Sequence, residues 1–227
     1  MWQFIKASSF SLICFAVILL SVAAVSHAQS PEPIKPTGKT IFRDSDGNLV
    51  SNDEFVDIRM ANFHLPDRTL MRTLEDGTVE FRLQKIPQEG AAMPQLSVET
   101  LDGQTVTTED LKGKVIVLNF WFIGCPACMY EMPKLNEMAA KFAGNDSVVF
   151  LAMTTDPEHQ VKKFLSREKF DYRIAADAGP AMKSFGFSGF PKNIVISKDG
   201  TIVYWRSPIH AWDKFESVIR AEIEKSS

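Results

Sequence analysis

Two cysteines, Cys125 and Cys128, stand within the run VIVLNFWFIGCPACMYEMP of residues 115–133. Thiols spaced as Cys-x-x-C can exchange with another disulfide or supply half of a soft metal site. A structural zinc site needs a second pair of soft ligands. His159 and His210 lie far along the chain at no ligand-like spacing, so no metal is expected. Nor is the pair a structural staple, because closing so short a loop removes little entropy from the unfolded chain. Thiol–disulfide exchange is the chemistry best matched to the spacing.

The elements that must position the pair are legible around it. Residues 115–120 are a continuous apolar, β-branched run, as in a strand covered on both faces. Met132, Leu135, Met138, Ala139 and Phe142 fall at helical intervals, predicting a helix over 129–142 that Gly144 ends. Pro133 lies inside that helix, where it removes a hydrogen bond and introduces a kink. Cys125 is thereby placed at the open end of a buried strand and at a helix N-terminus, which stabilises an anion by about 0.3–2 kcal/mol. That is enough to leave an exposed thiol partly ionised at neutral pH. Cys125 is expected to be exposed and nucleophilic, and Cys128, one turn further in, to be shielded and to resolve the mixed disulfide.

Beyond the helix the pattern alternates strand and helix: a strand over 148–153, a helix over 157–169, a short strand over 172–175 and a short helix over 180–185. Residues 186–189 form a loop that delivers Phe190 and Pro191. A hairpin follows, 193–197 and 201–205 around Lys198-Asp199-Gly200, and then a helix over 212–225 with Phe215, Val218, Ile219 and Ile223 on one face. Ahead of the central strand, 95–99 and 105–107 read as strands around Asp102-Gly103, and 108–112 as one helical turn capped by Thr108. Trp205 and Trp212 are expected in the core.

The N-terminal part is organised differently. Lys6, the apolar run 10–25 and Ser26-His27-Ala28 have the layout of a secretory signal peptide cleaved near Ala28, the rival reading being an uncleaved membrane anchor. Residues 29–39 carry Pro31, Pro33 and Pro36 and suit an extended linker. Residues 40–92 contain alternating pairs around Ser45-Asp46-Gly47-Asn48 and Glu75-Asp76-Gly77, a small β-rich region with 53–64 left open and His64 in a loop. Export implies a disulfide-permissive compartment, periplasmic or otherwise extracytoplasmic. A formal net charge of −3 without a basic stripe excludes nucleic acid as an expected partner.

The run from Gly113-Lys114 through NFWFIGCPAC, Glu131-Met132-Pro133 and the later Gly189-Phe190-Pro191 resembles the thioredoxin fold, more narrowly the TlpA/ResA-like exported thiol-disulfide oxidoreductases. The resemblance covers 93–227. It implies an α/β thioredoxin-like domain with a central mixed sheet flanked by helices, carrying the 40–92 region as an appendage. It implies further that Cys125 attacks, that Cys128 resolves, and that Pro191 is a cis-proline facing the disulfide. Pro133 matches the proline that kinks the active-site helix. Glu131 matches a glutamate kept beneath the cysteines. Where cytosolic thioredoxins carry a buried aspartate this chain has Asn119, which cannot shuttle a proton, so the task of deprotonating Cys128 falls to Glu131, with a raised pKa if it is buried.

Gly124 stands where the family commonly has Trp, which leaves the rim more open; Trp121 is retained three residues before it. Phe190, Pro191 and Trp121 are the expected substrate-facing residues, Phe190 either as an apolar contact or as a lid on the disulfide. No cofactor is expected beyond the redox-active pair itself. The implied partners are protein thiols and disulfides, with a membrane thiol reductant as electron donor, and net reduction is the implied direction, for example in cytochrome c maturation. Three rivals stand beside this, one of them a non-catalytic adaptor whose working surface is the 40–92 region. A peroxiredoxin-like peroxidase would want Thr where Phe122 stands, and a copper-binding assembly module would space its cysteines by three residues.

Overall fold

The computed structural model describes residues 36–225. The leader expected at 1–28 and most of the 29–39 linker lie outside the described residues.

The chain first builds a small sheet in the order β2-β1-β4-β3 from β1 (Thr40–Arg43), β2 (Leu49–Val50), β3 (Leu70–Thr73) and β4 (Val79–Arg82). The two hairpins are joined by a parallel β1–β4 pairing. The segment that the sequence left open is a helix, α1 (Asn52–Met60), started by Ser51, whose hydroxyl accepts from the Glu54 amide at 3.1 Å. The region is therefore α+β. Its periodicity was masked because Asp57, a charged residue, occupies an inward position of α1 beside Phe55.

The main sheet runs β11-β10-β7-β8-β9, built from β7 (Val115–Trp121), β8 (Val148–Thr154), β9 (Arg173–Ala175), β10 (Lys192–Ile196) and β11 (Ile202–Arg206). Strands β7, β8 and β9 are parallel, and β10 is antiparallel to both its neighbours. The central β7 is buried along its whole length, and its residues alternate between the two faces. Val115, Val117 and Trp121 join one core with Leu135 and Met138 of α2 (Pro126–Lys141), Val161 and Phe164 of α3 (Glu158–Leu165), and Phe215 and Ile219 of α5 (Trp212–Glu224). Ile116, Leu118 and Phe120 join the other, with Met182 of α4 (Gly179–Ser184) and Val98 and Val106 of the hairpin β5 (Ser97–Glu99)–β6 (Thr105–Thr107).

The outer edge of β11 is covered. Gly90 and Ala91 exchange backbone hydrogen bonds with Ile202, and α1 lies beside the strand, so the N-terminal segment removes an open sheet edge. Residues 108–112 are successive turns rather than a helix: Thr108 turns its hydroxyl back to accept from the Leu96 amide at 2.6 Å and so caps nothing. Trp205 is fully buried, whereas Trp212 packs at the core's margin. Among the described residues, no helix is long and apolar enough to cross a membrane.

Candidate active site

The strand β7 ends at Trp121, and Phe122, Ile123 and Gly124 carry the chain to α2. The Asp156 carboxylate sets this crossing by accepting from the Ile123 amide at 2.6 Å and from the Thr154 hydroxyl at 2.8 Å. Gly124 adopts φ +86°, a left-handed conformation that glycine takes without strain, and a Cβ there would meet nothing. Cys125 is then the N-cap of α2, with Pro126 in the first turn, where its missing N–H costs nothing. Cys125 and Cys128 are joined by a disulfide, and Cys125 Sγ accepts from the Cys128 amide at 3.2 Å.

The sequence places the Cys125 sulfur in solvent; the structure does not. Cys125 is 3% exposed and Cys128 2%. Gly124, Pro126 and Ala127 around them are exposed, so the disulfide lies just below an open rim. Phe122 and Phe190 pack against the core cluster that contains both cysteines, edge to face with ring centroids 5.1 Å apart. Phe190 is half-buried and also meets Phe187. Both cysteines belong to a core cluster drawn from several elements, including Phe164 of α3, Ile209, and Phe215 of α5, and this packing of residues distant in the chain is the physical reason that the sulfurs are buried.

The Phe190–Pro191 peptide is cis. Phe63, from the segment after α1, lies against the glycine ahead of it: a Cβ on Gly189 would fall 2.3 Å from Phe63 Cζ. Trp121, offered by the resemblance as a substrate-facing residue, is fully buried. The alternation of β7 directs it into the core, where its ring meets Phe164 and Phe170 at 5.4 and 5.6 Å, and it cannot touch a substrate.

One helical turn beyond Cys128, on the same inward face of α2, Glu131 is 1% exposed. Its Oε1 accepts from the Ile209 amide at 2.5 Å and its Oε2 from Asn193 Nδ2 at 3.0 Å. Asn193 Oδ1 in turn accepts from Asn119 Nδ2 at 2.8 Å. Asn119 and Asn193 stand directly opposite on β7 and β10, so both side chains must share the face that α2 covers. Burial pushes the Glu131 carboxyl up to about 7, against the lowering effect of its two donors. A carboxyl of that affinity can hold or release a proton at neutral pH.

Sequence reasoning missed Asn193, Asp156, Asp57 and Lys192. Asn193 had a signal, lying two residues after Pro191 in a strand paired to β7. Lys192 is fully buried, and its Nζ donates to the Ala61 carbonyl at 2.6 Å, 5.0 Å from the centre of the Trp205 ring. Burial pulls its ammonium down to about 7.

A disulfide at the start of a helix that carries an internal proline, set at the end of the central strand of a mixed sheet, with a cis-proline after a phenylalanine that packs on the same core cluster, defines a thioredoxin-fold thiol-disulfide oxidoreductase. The family model described as Redoxin matches residues 88–217, and the chain belongs to that family, within its TlpA/ResA-like oxidoreductases. It is 31% identical over 117 residues to thiol-disulfide oxidoreductase ResA of Bacillus thuringiensis, covering 51% of this chain and 68% of the relative. It is 29% identical over 117 residues to thioredoxin-like protein YneN of Bacillus subtilis, covering 51% of this chain and 69% of the relative. The thioredoxin domain of a thiol-disulfide oxidoreductase from Bacteroides vulgatus superposes with a TM-score of 0.51 at 26% identity, over 58% of this chain and 97% of that one.

Proposed function

We propose that the protein is an exported reductant of protein disulfides, in which Cys125 is the nucleophile, Cys128 the resolving thiol and Glu131 its proton acceptor. In the reduced state the Cys125 thiolate attacks a substrate disulfide; one substrate thiolate leaves, takes up a proton, and a mixed disulfide forms on Cys125. Glu131 takes the proton of Cys128, whose thiolate attacks Cys125 Sγ and expels the second substrate thiolate. Two substrate thiols and the Cys125–Cys128 disulfide result, so the substrate gains the two electrons that the protein loses. The buried carboxyl of Glu131, one turn past Cys128 and poised near neutral pH, is the observation that carries this assignment of roles.

The leader-like residues 1–28 and a cysteine pair suited to an oxidising compartment support an extracytoplasmic location. There a membrane thiol reductant would return the pair to the dithiol state, and the family resemblance of the sequence motifs implies the cysteines of an apocytochrome c as one substrate. Pro191 and Phe190 would flank the bound substrate segment.

The test is a trap. Cys128→Ala in the full chain, expressed in the native host, should accumulate mixed disulfides on Cys125 that mass spectrometry identifies as exported cysteine-pair proteins. Cys125→Ala should accumulate none. Recovery of equal adducts from both variants would refute the assignment of nucleophile, and a reduction potential in the range of strong oxidants would refute the direction.

A further inference from the structure

The N-terminal segment brings a second buried carboxyl to the loop that serves Glu131. Asp57, on α1, is 1% exposed. Its two oxygens accept from the His210 amide at 2.8 and 3.0 Å and from the Ala211 amide at 2.9 Å, and Oδ1 lies 2.7 Å from His210 Nδ1. The preceding amide, that of Ile209, donates to Glu131. Three consecutive amides of one loop are thus divided between two buried carboxyls, one from the active-site helix and one from a helix far earlier in the chain. Ala211 is also the N-cap of α5, so Asp57 satisfies amides at that helix start, which its own side chain cannot cap.

We propose that Asp57 is a positioning residue for Glu131, so that the N-terminal segment is a working part of the redox site: it holds the loop that gives Glu131 its Ile209 donor, and its charge keeps the proton on Glu131. The inference rests on the reading of Glu131 as the proton acceptor for Cys128. Two neighbouring carboxyls in a poorly hydrated site do not ionise independently. Burial raises the Asp57 carboxyl too, but the His210 and Ala211 amides and the His210 imidazole oppose that rise, whereas Glu131 has one amide and one neutral side chain, so Asp57 is the member of the pair that gives up its proton first. The other titratable groups whose charge reaches Glu131 are His210 from the loop, Tyr172 ahead of β9 and Tyr204 on β11, besides the cysteines on its own helix. Arg206 stacks on the Tyr204 ring and is paired with Glu89, and Lys214 is paired with Glu54, so neither cation is available to neutralise Asp57.

The measurement is the pH profile of single-turnover oxidation of the reduced full chain by glutathione disulfide. Glu131→Gln identifies the inflection that belongs to Glu131. Asp57→Asn should move that inflection down by at least half a pH unit, about a threefold loss of proton affinity, and Asp57→Glu should restore part of it. An inflection that stays in place or moves up in Asp57→Asn overturns the inference. If Glu131→Gln itself leaves the profile unchanged, the underlying assignment of Glu131 fails instead, which is a different result. Should Asp57→Asn not fold, carbon-detected NMR titration of the carboxyls in the unaltered protein decides. Asp57 and Glu131 should then share two inflections, and two independent single transitions would overturn the coupling.

Discussion

Replacing Glu131 by Gln should abolish a large pH-dependent loss of stability. Burial raises this carboxyl from 4.5 to about 7 in the folded chain, so the folded state binds a proton that the unfolded state releases. Between those two values stability must fall as pH rises, because the unfolded chain gains by ionising while the folded chain does not. About two and a half pH units at ~1.36 kcal/mol each amount to roughly 3 kcal/mol, absent below pH 4.5 and fully developed above pH 7. The Gln side chain also brings an NH₂ group toward Asn193, which costs about 1–3 kcal/mol, but that cost does not vary with pH. Urea unfolding of the oxidised full chain at pH 4.5 and 8.5, for wild type and Glu131→Gln, compares the two directly, since titrating groups that are not coupled to Glu131 cancel between the two proteins. The wild type should lose about 3 kcal/mol more than the variant over this interval. An equal loss in both proteins would refute the premise that Glu131 is a carboxyl held protonated by burial.

Lys192 gives the opposite sign. Its folded-state value of about 7 lies below the ordinary 10.5, so the wild type should gain about 3 kcal/mol in stability between pH 7 and 9.5, and Lys192→Met, followed by the same urea titrations, should lack that gain. Asp156→Ala strips the acceptor from the Ile123 amide and the Thr154 hydroxyl; it should cost about 1–3 kcal/mol in urea unfolding and slow the reaction of the reduced protein with a small aromatic disulfide, because the crossing that delivers Cys125 is no longer pinned.

The site's address was readable where chemistry and periodicity coincide. An apolar β-branched run, a Cys-x-x-C and helically spaced methionines and leucines are local signals, and the observed β7, disulfide and α2 follow them within a few residues. The helix begins earlier than its apolar spacing predicts because Pro126 and Cys125 are starting residues, not members of the buried stripe. Segment 53–64 hid its helix because its inward face carries Asp57, which reads as a solvent residue until a loop from the other end of the chain supplies three amide contacts and an imidazole. Thr108 looked like a cap because a threonine followed by acidic residues is one locally; the nearby Leu96 amide captured it instead.

From the sequence alone come the redox chemistry, the order of strands and helices from residue 115 onward and the family resemblance, because each depends on residue type and on spacing within one element. The depth of the two cysteines, the burial of Trp121, the Asn119–Asn193–Glu131 chain and the junction of α1 with the loop at Ile209 required the tertiary structure. Burial and proton affinity are set by everything that surrounds a group, and here the surroundings come from β10, the loop before α5 and a helix at the opposite end of the chain.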